Sequence, residues 1–343
     1  MKNKQKNIFL LIFLIVIIFL TFNRIYSETS LEQIYQNLKN VKIVYIFICL
    51  LIMFLYFFMQ SIYMKIILKS LNKKITFKKG FFYSIVEFYF SGITPSSTGG
   101  QPMQLYYMTK DKIPLRKTYI TLILNTIYFK LIILILGIIV LITNLNFILN
   151  LPTICLFFII LGLIVDIIFI IILFMLLFKQ NIIKKILMII TKTCKKLKIL
   201  KKVQNINIEE TLKKYSNELK YIKSNKKTIV FSFIITFIQR LLLFSIIYVV
   251  YKSLGFSHYT YFDLLKIQIC VQLATEAFPL PGGAGISETI LYNSFNTMHG
   301  INFASTGMLL TRSFAFYIPL LVSGLTILIH SIYSKKNRTK NIK

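Results

Sequence analysis

The chain has 343 residues, a mean hydropathy of +0.70 and 56% hydrophobic residues, which exclude an ordinary water-soluble fold and place it among polytopic membrane proteins. A net charge of +30 would suggest nucleic acid in a soluble protein, but 32 of the 41 Lys and Arg cluster in five short polar segments. That distribution reads as membrane orientation, with all five segments and both termini in the cytoplasm of a cell-membrane protein and no nucleic-acid partner.

A full span needs about 20 apolar residues. The first is expected over 8–25, beginning "IFLLIFLIVIIFLTF" after three lysines. The following "NRIYSETS" offers no small-x-small cleavage site, so this run reads as a retained anchor, with an external loop completing residues 1–42. A second span follows at 43–68, then a segment at 69–80 with five lysines. The next apolar piece, "FFYSIVEFYFSGI" at 81–93, would extend only about 20 Å as a helix, short of a hydrocarbon core of about 30 Å. Basic segments flank it on both sides, so 81–108 is expected to enter the membrane and return as a re-entrant hairpin.

Spans at 118–142 and 152–178 come next, the second a link between two halves. Residues 179–227 hold fifteen lysines against Glu209, Glu210 and Glu218, and read as a basic cytoplasmic segment: an orientation-fixing loop, or an amphipathic helix on the inner leaflet. A fifth span is expected at 228–252 and a sixth at about 304–333. Between them, 264–298 contains "FPLPGGAGISETI", a second re-entrant hairpin entering from the opposite face.

The expected fold is therefore all-α, one transmembrane domain of about six full spans and two oppositely oriented hairpins. Span, hairpin, span at 43–142 recurs inverted at 228–333. Each hairpin carries a Gly-Gly pair, Gly99-Gly100 or Gly282-Gly283, with Pro95 or Pro279 before it and Glu87 or Glu276 upstream. Inverted repeats with Gly/Pro-interrupted short segments point to a substrate site near the bilayer midplane. The breakers are tolerated if the hairpin tips face each other and a polar cavity rather than lipid. The alternative is that glycines only let helices approach and prolines only kink them.

Candidate binding residues follow from this pattern. A helix that starts at a glycine-rich break offers N–H groups and its positive dipole end to an anion, here a lipid phosphodiester. Pro95, Gly99, Gly100 and Gln101 form one such site; Pro281, Gly282, Gly283, Gly285 and Glu288 form the other. Arg240 and Arg312 are candidates to receive a phosphate, with Glu276 and Glu288 to balance those arginines or meet an amine. Arg312 and Glu288 also read as a buried structural pair, and Asp166 reads either as a partner of Lys130 or as a protonated packing residue. Cys49, Cys155, Cys194 and Cys270 are scattered and the three histidines lack ligand spacing, so neither disulfide, metal nor cofactor is expected.

With "TPSSTGGQPMQLYYM" and "FPLPGGAGISETI" in hand, the chain resembles the lysylphosphatidylglycerol synthase transmembrane-region family of flippase-like membrane proteins. The likeness runs from about Val41 to Tyr333. Its most specific part is PGGxGxxE at Pro281, Gly282, Gly283, Gly285 and Glu288, followed by "TRSFAFYIPLLVSG" with Arg312. One departure is Lys130 in "NTIYFKLI", where the family often carries arginine. The resemblance implies translocation of an anionic or aminoacylated phospholipid such as lysylphosphatidylglycerol, a trait tied to cationic-peptide resistance. Members with both activities add a cytoplasmic domain that transfers lysine to phosphatidylglycerol. These residues hold no counterpart of it, so the expectation is a protein that is not itself an enzyme. The alternatives are a phosphatidylglycerol lysyltransferase acting with a separate synthase domain, and a non-transporting scaffold; a homo-oligomer is also compatible.

Overall fold

A computed structural model describes residues 31–143, 152–178, 188, 208–276, 278 and 280–340; the run expected to span at 8–25, most of 179–207 and Pro279 lie outside the described residues. The described residues are mostly helical, with no strand among them. Among the described residues, five helices are long and apolar enough to cross a membrane: α2 (Ile43–Ser70), α5 (Leu115–Thr143), α6 (Thr153–Phe178), α8 (Lys226–Ser253), and the last run from Ile301 to Tyr333. A short helix α1 (Leu31–Lys39) precedes them, tied to the last run by Asn37 Nδ2, which donates to the Asn302 carbonyl at 2.8 Å.

Both short apolar pieces fold as helical hairpins. The first comprises α3 (Phe77–Ile93), a tight turn at Pro95–Ser97 and α4 (Gly100–Lys110). The second comprises α9 (Tyr261–Glu276), a turn at Pro281–Gly283 and α10 (Ile286–His299). At 1.5 Å per residue none of these four arms exceeds about 26 Å, so none alone spans a core of about 30 Å. The last run is two helices, α11 (Ile301–Arg312) and α12 (Ile318–Lys340), joined through a π-helical turn at Ser313–Tyr317.

Polarity is arranged inside out relative to a soluble fold. Phe47, Phe54, Phe157, Ile164, Ile168, Leu325 and Leu328 are exposed, whereas Gln60, Gln104, Lys130, Asp166, Gln239, Arg240, Glu288 and Arg312 are buried. Such a surface is stable against lipid, and buried charges persist only where they meet one another.

The long helices and the hairpin arms pack in alternation. The opening spans of the halves, α2 and α8, lie against each other. Each hairpin's first arm then packs on the closing span of the other half, α3 on α12 and α9 on α5. Glycines bring both α5 and α6 close to α9: a Cβ on Gly162 of α6 would stand 1.8 Å from the Leu273 carbonyl oxygen of α9, and one on Gly137 of α5 would stand 2.7 Å from the Leu273 side chain.

The described end of the basic segment is more than a loop. Helix α7 (Ile208–Ser224) docks on the bundle through Tyr215, which donates to the Leu177 carbonyl at 3.0 Å, and Glu218, which pairs with Arg116 at 2.8 Å.

Candidate functional site: two hairpin tips and three buried charge clusters

The turns at the tips of the two hairpins lie against each other. The Phe316 ring lies beside both halves, at the positions where a Cβ on Gly92 or Gly282 would project. Both turns have prolines at their start, Pro95 and Pro281, where the missing N–H costs nothing.

The two tips differ in what neutralises the helix that follows. At the second tip, Gly282, Gly283 and Gly285 have φ of +59°, +65° and +87°, which side chains other than glycine adopt only at a cost. Glu288 folds back over this turn: its carboxylate accepts from the Gly285 N–H at 2.7 Å and the Ser287 hydroxyl at 2.8 Å. It also accepts from Arg312 Nε at 2.7 Å and the Tyr317 hydroxyl at 2.9 Å, while Arg312 Nη2 donates to the Gly282 carbonyl at 2.9 Å. The anion at this helix start is the protein's own carboxylate. The π turn after Arg312 places Tyr317 alongside it on the same carboxylate.

At the first tip, no acidic residue lies in the first turn of α4 and no side chain caps it. Ser96, Ser97 and Thr98 are exposed, and Ser96 and Ser97 hold φ of +50° and +54°, a strained conformation for side-chain-bearing residues. The Gly99 N–H donates to Thr94 Oγ1 at 2.8 Å. Gly100 is buried, and a Cβ there would stand 2.0 Å from Ser91 Oγ and 2.7 Å from the Glu87 carbonyl oxygen, so this glycine closes the hairpin. Gln101 donates to Thr126 of α5.

A second cluster lies where α2, α3, α4 and α8 cross. Glu87 accepts from Gln60 Nε2 at 2.9 Å and Gln104 Nε2 at 3.3 Å. Arg240 Nη1 donates to the Tyr56 hydroxyl at 3.2 Å, and its guanidinium lies 4.0 Å from the Phe129 ring centre. Arg240 Nε and the amide oxygens of Gln60, Gln104 and Gln239 are buried without a hydrogen-bond partner among the described residues. Buried polar atoms are nearly always satisfied, so four orphans at one crossing make it a candidate place for a polar ligand.

A third cluster joins the halves. Lys130 of α5 pairs with Glu276 of α9, and its Nζ stands 2.9 Å from Asp166 Oδ1 of α6. Gln272 donates to Glu276 at 2.9 Å. Asp166 thus meets Lys130, as one of its two sequence readings held.

Residues 8–323 match the family described as the lysylphosphatidylglycerol synthase TM region. The chain belongs to that family. The match starts some thirty residues before Val41, where the motif-based likeness begins, and takes in the expected first span. It establishes a membrane protein related to lysylphosphatidylglycerol handling. A comparison with curated proteins finds no match.

Sequence reasoning missed Tyr56, Gln60, Gln104, Gln239 and Tyr317. A signal for two of them was present: "FMQS" at 58–61 and "FIQR" at 237–240 place Gln60 and Gln239 in like short motifs of two long apolar helices.

Proposed function

We propose that this protein binds an anionic or aminoacylated phospholipid, such as lysylphosphatidylglycerol, by its headgroup and carries it between leaflets of the cell membrane, with both termini cytoplasmic. The observation that carries this reading is the asymmetry of the tips together with the orphaned donor. The start of α4 lacks a neutralising carboxylate and presents hydroxyls, while Arg240 holds a buried Nε–H without a partner among the described residues. A phosphodiester supplies the acceptor oxygens that both lack.

In this scheme Pro95, Gly99, Gly100 and Gln101 shape the first tip, and Arg240 receives the phosphate. Glu288, Arg312, Pro281, Gly282, Gly283 and Gly285 hold the second tip rigid opposite it, and Glu276 ties its hairpin to α5. Sequence reasoning named both Arg240 and Arg312 as candidates to receive the phosphate. Two nitrogens of Arg312 are already committed to Glu288 and the Gly282 carbonyl, which supports Arg240 instead.

The purified chain is reconstituted into vesicles containing fluorescent phosphatidylglycerol, and leaflet exchange is read by dithionite quenching. Protein-dependent exchange is expected, slowed about 10- to 100-fold in Arg240→Gln, the loss of one charge-assisted hydrogen bond of roughly 1.5–3 kcal/mol. Formation of aminoacyl-lipid from lysyl-tRNA without exchange would establish the synthase reading instead. Neither activity would leave a scaffold.

A further inference from the structure

Among the described residues, the middle of the bundle holds four carboxylates, Glu87, Asp166, Glu276 and Glu288, against three cations, Lys130, Arg240 and Arg312. The surplus acid is localised by geometry. Glu288 has its own arginine and three further donors, and Glu87 lies between two glutamine amides with Arg240 within electrostatic reach. Lys130 alone is shared by two carboxylates, from α6 and from the hairpin arm α9.

Asp166 is fully buried, Lys130 Nζ stands 2.9 Å from its Oδ1, and its Oδ2 has no hydrogen-bond partner among the described residues. The rings of Phe129 and Phe169 lie 5.7 and 5.3 Å from the ammonium and exclude other polar groups on those sides. From the elements packed around it, α5 contributes Lys130, α6 Asp166 and α9 Glu276. Arg240 of α8 lies over the Phe129 ring and within ion-pair distance of none of the three. With every group ionised the cluster carries one uncompensated negative charge, and a buried carboxylate in that position takes up a proton instead.

We propose that Lys130, Asp166 and Glu276 form a proton-binding site that couples lipid translocation to proton movement. This rests on the translocation reading above. A hydronium ion gives its proton to one of the two carboxylates, forming a neutral carboxylic acid and water, and the other carboxylate keeps the lysine. Glu276 ends the arm of the second hairpin, so displacement of that arm relative to α5 and α6 changes which carboxylate holds Lys130, and the freed one binds or releases the proton. The contact is lined by Gly137, against which the Leu273 side chain packs, and by Gly162, which faces the Leu273 carbonyl directly.

Two measurements on the full chain test this, and only one needs transport. Infrared difference spectra of the protein in vesicles, taken between about pH 5 and pH 9, should contain a deuterium-sensitive protonated-carboxyl band in the wild type at neutral pH. Glu276→Gln restores a one-to-one pairing of Asp166 with Lys130, so the band should disappear; Glu87→Gln should leave it in place. A band that persists in Glu276→Gln, or disappears in Glu87→Gln, overturns the site. Thiol-reactive dye unfolding confirms that each variant is folded. In vesicles with the membrane potential clamped, a one-unit pH gradient should change wild-type lipid flux several-fold, within the roughly tenfold limit that one pH unit allows. Flux indifferent to the gradient overturns the coupling. Absence of any flux overturns the translocation reading, while the infrared result still decides the proton site.

Discussion

Neutralising Arg312 removes one arm of the clamp that holds the second tip, and the structure fixes what is left behind. Glu288 would keep the Gly285 N–H, the Ser287 hydroxyl and the Tyr317 hydroxyl but lose its counter-charge, and the Gly282 carbonyl would lose its donor. Both side chains are almost fully buried, at 8% exposure for Arg312 and 4% for Glu288, so water compensates little. Breaking a buried pair from one side costs about 3–5 kcal/mol. At roughly 2–4 °C of midpoint per kcal/mol for chains of a few hundred residues, Arg312→Gln should lower the unfolding midpoint by about 6–20 °C. The chain has no tryptophan, but Cys49, Cys155 and Cys270 are buried free thiols, so a thiol-reactive dye reports unfolding directly. Glu288→Gln should cost a similar amount, and the double variant should recover part of it because neither charge is then stranded. A single variant as stable as the wild type, or a double variant no better than the worse single, would refute the clamp.

Three other outcomes follow. Gly283→Leu forces a side chain into φ +65° with its Cβ 2.4 Å from Thr275 Cγ2, and should destabilise by about 2–4 kcal/mol in the same dye assay, whereas Gly255→Ala, with open space around it, should cost about 1–2 kcal/mol from backbone strain alone. With the native cysteines replaced, single cysteines at the exposed positions Lys74 and Lys112 should both label from the cytoplasm and one at Ser257 only from outside; labelling of Lys74 and Lys112 from opposite sides would make the first hairpin a full crossing. At the exposed start of α9, the Thr260 hydroxyl bonded to Asp263 at 2.6 Å is the largest influence holding that carboxyl below its usual range, so its contribution is complete at neutral pH and lost as pH falls below about 4. Hydrogen exchange in the first turn of α9 should accelerate only in that acid range, and Asp263→Asn should remove the pH dependence.

Most of the architecture was legible in the residue order because the bilayer imposes a length rule. Apolar runs near 20 residues are long enough to span, and 81–93, too short and bracketed by lysines, was expected to turn back, which its helical hairpin fits. The expected hairpins at 81–108 and 264–298 differ from the helices only by a few residues at each end. Gly-Gly pairs and prolines located both tips, since few other residues permit such turns. What the order of residues could not reveal was which buried charge meets which. Lys130 and Glu276 are 146 positions apart, and Arg312 and Glu288 lie on different helices. Their pairing depends on the crossing of α5 with α9 and on the π turn after Arg312, which arise only when the two halves pack. For the same reason sequence alone treated both tips as equivalent anion sites. Only the folded arrangement, in which Glu288 closes back on Gly285 while the start of α4 has no carboxylate of its own, separates a self-neutralised tip from an open one, because charge compensation depends on distance in space and not on spacing along the chain.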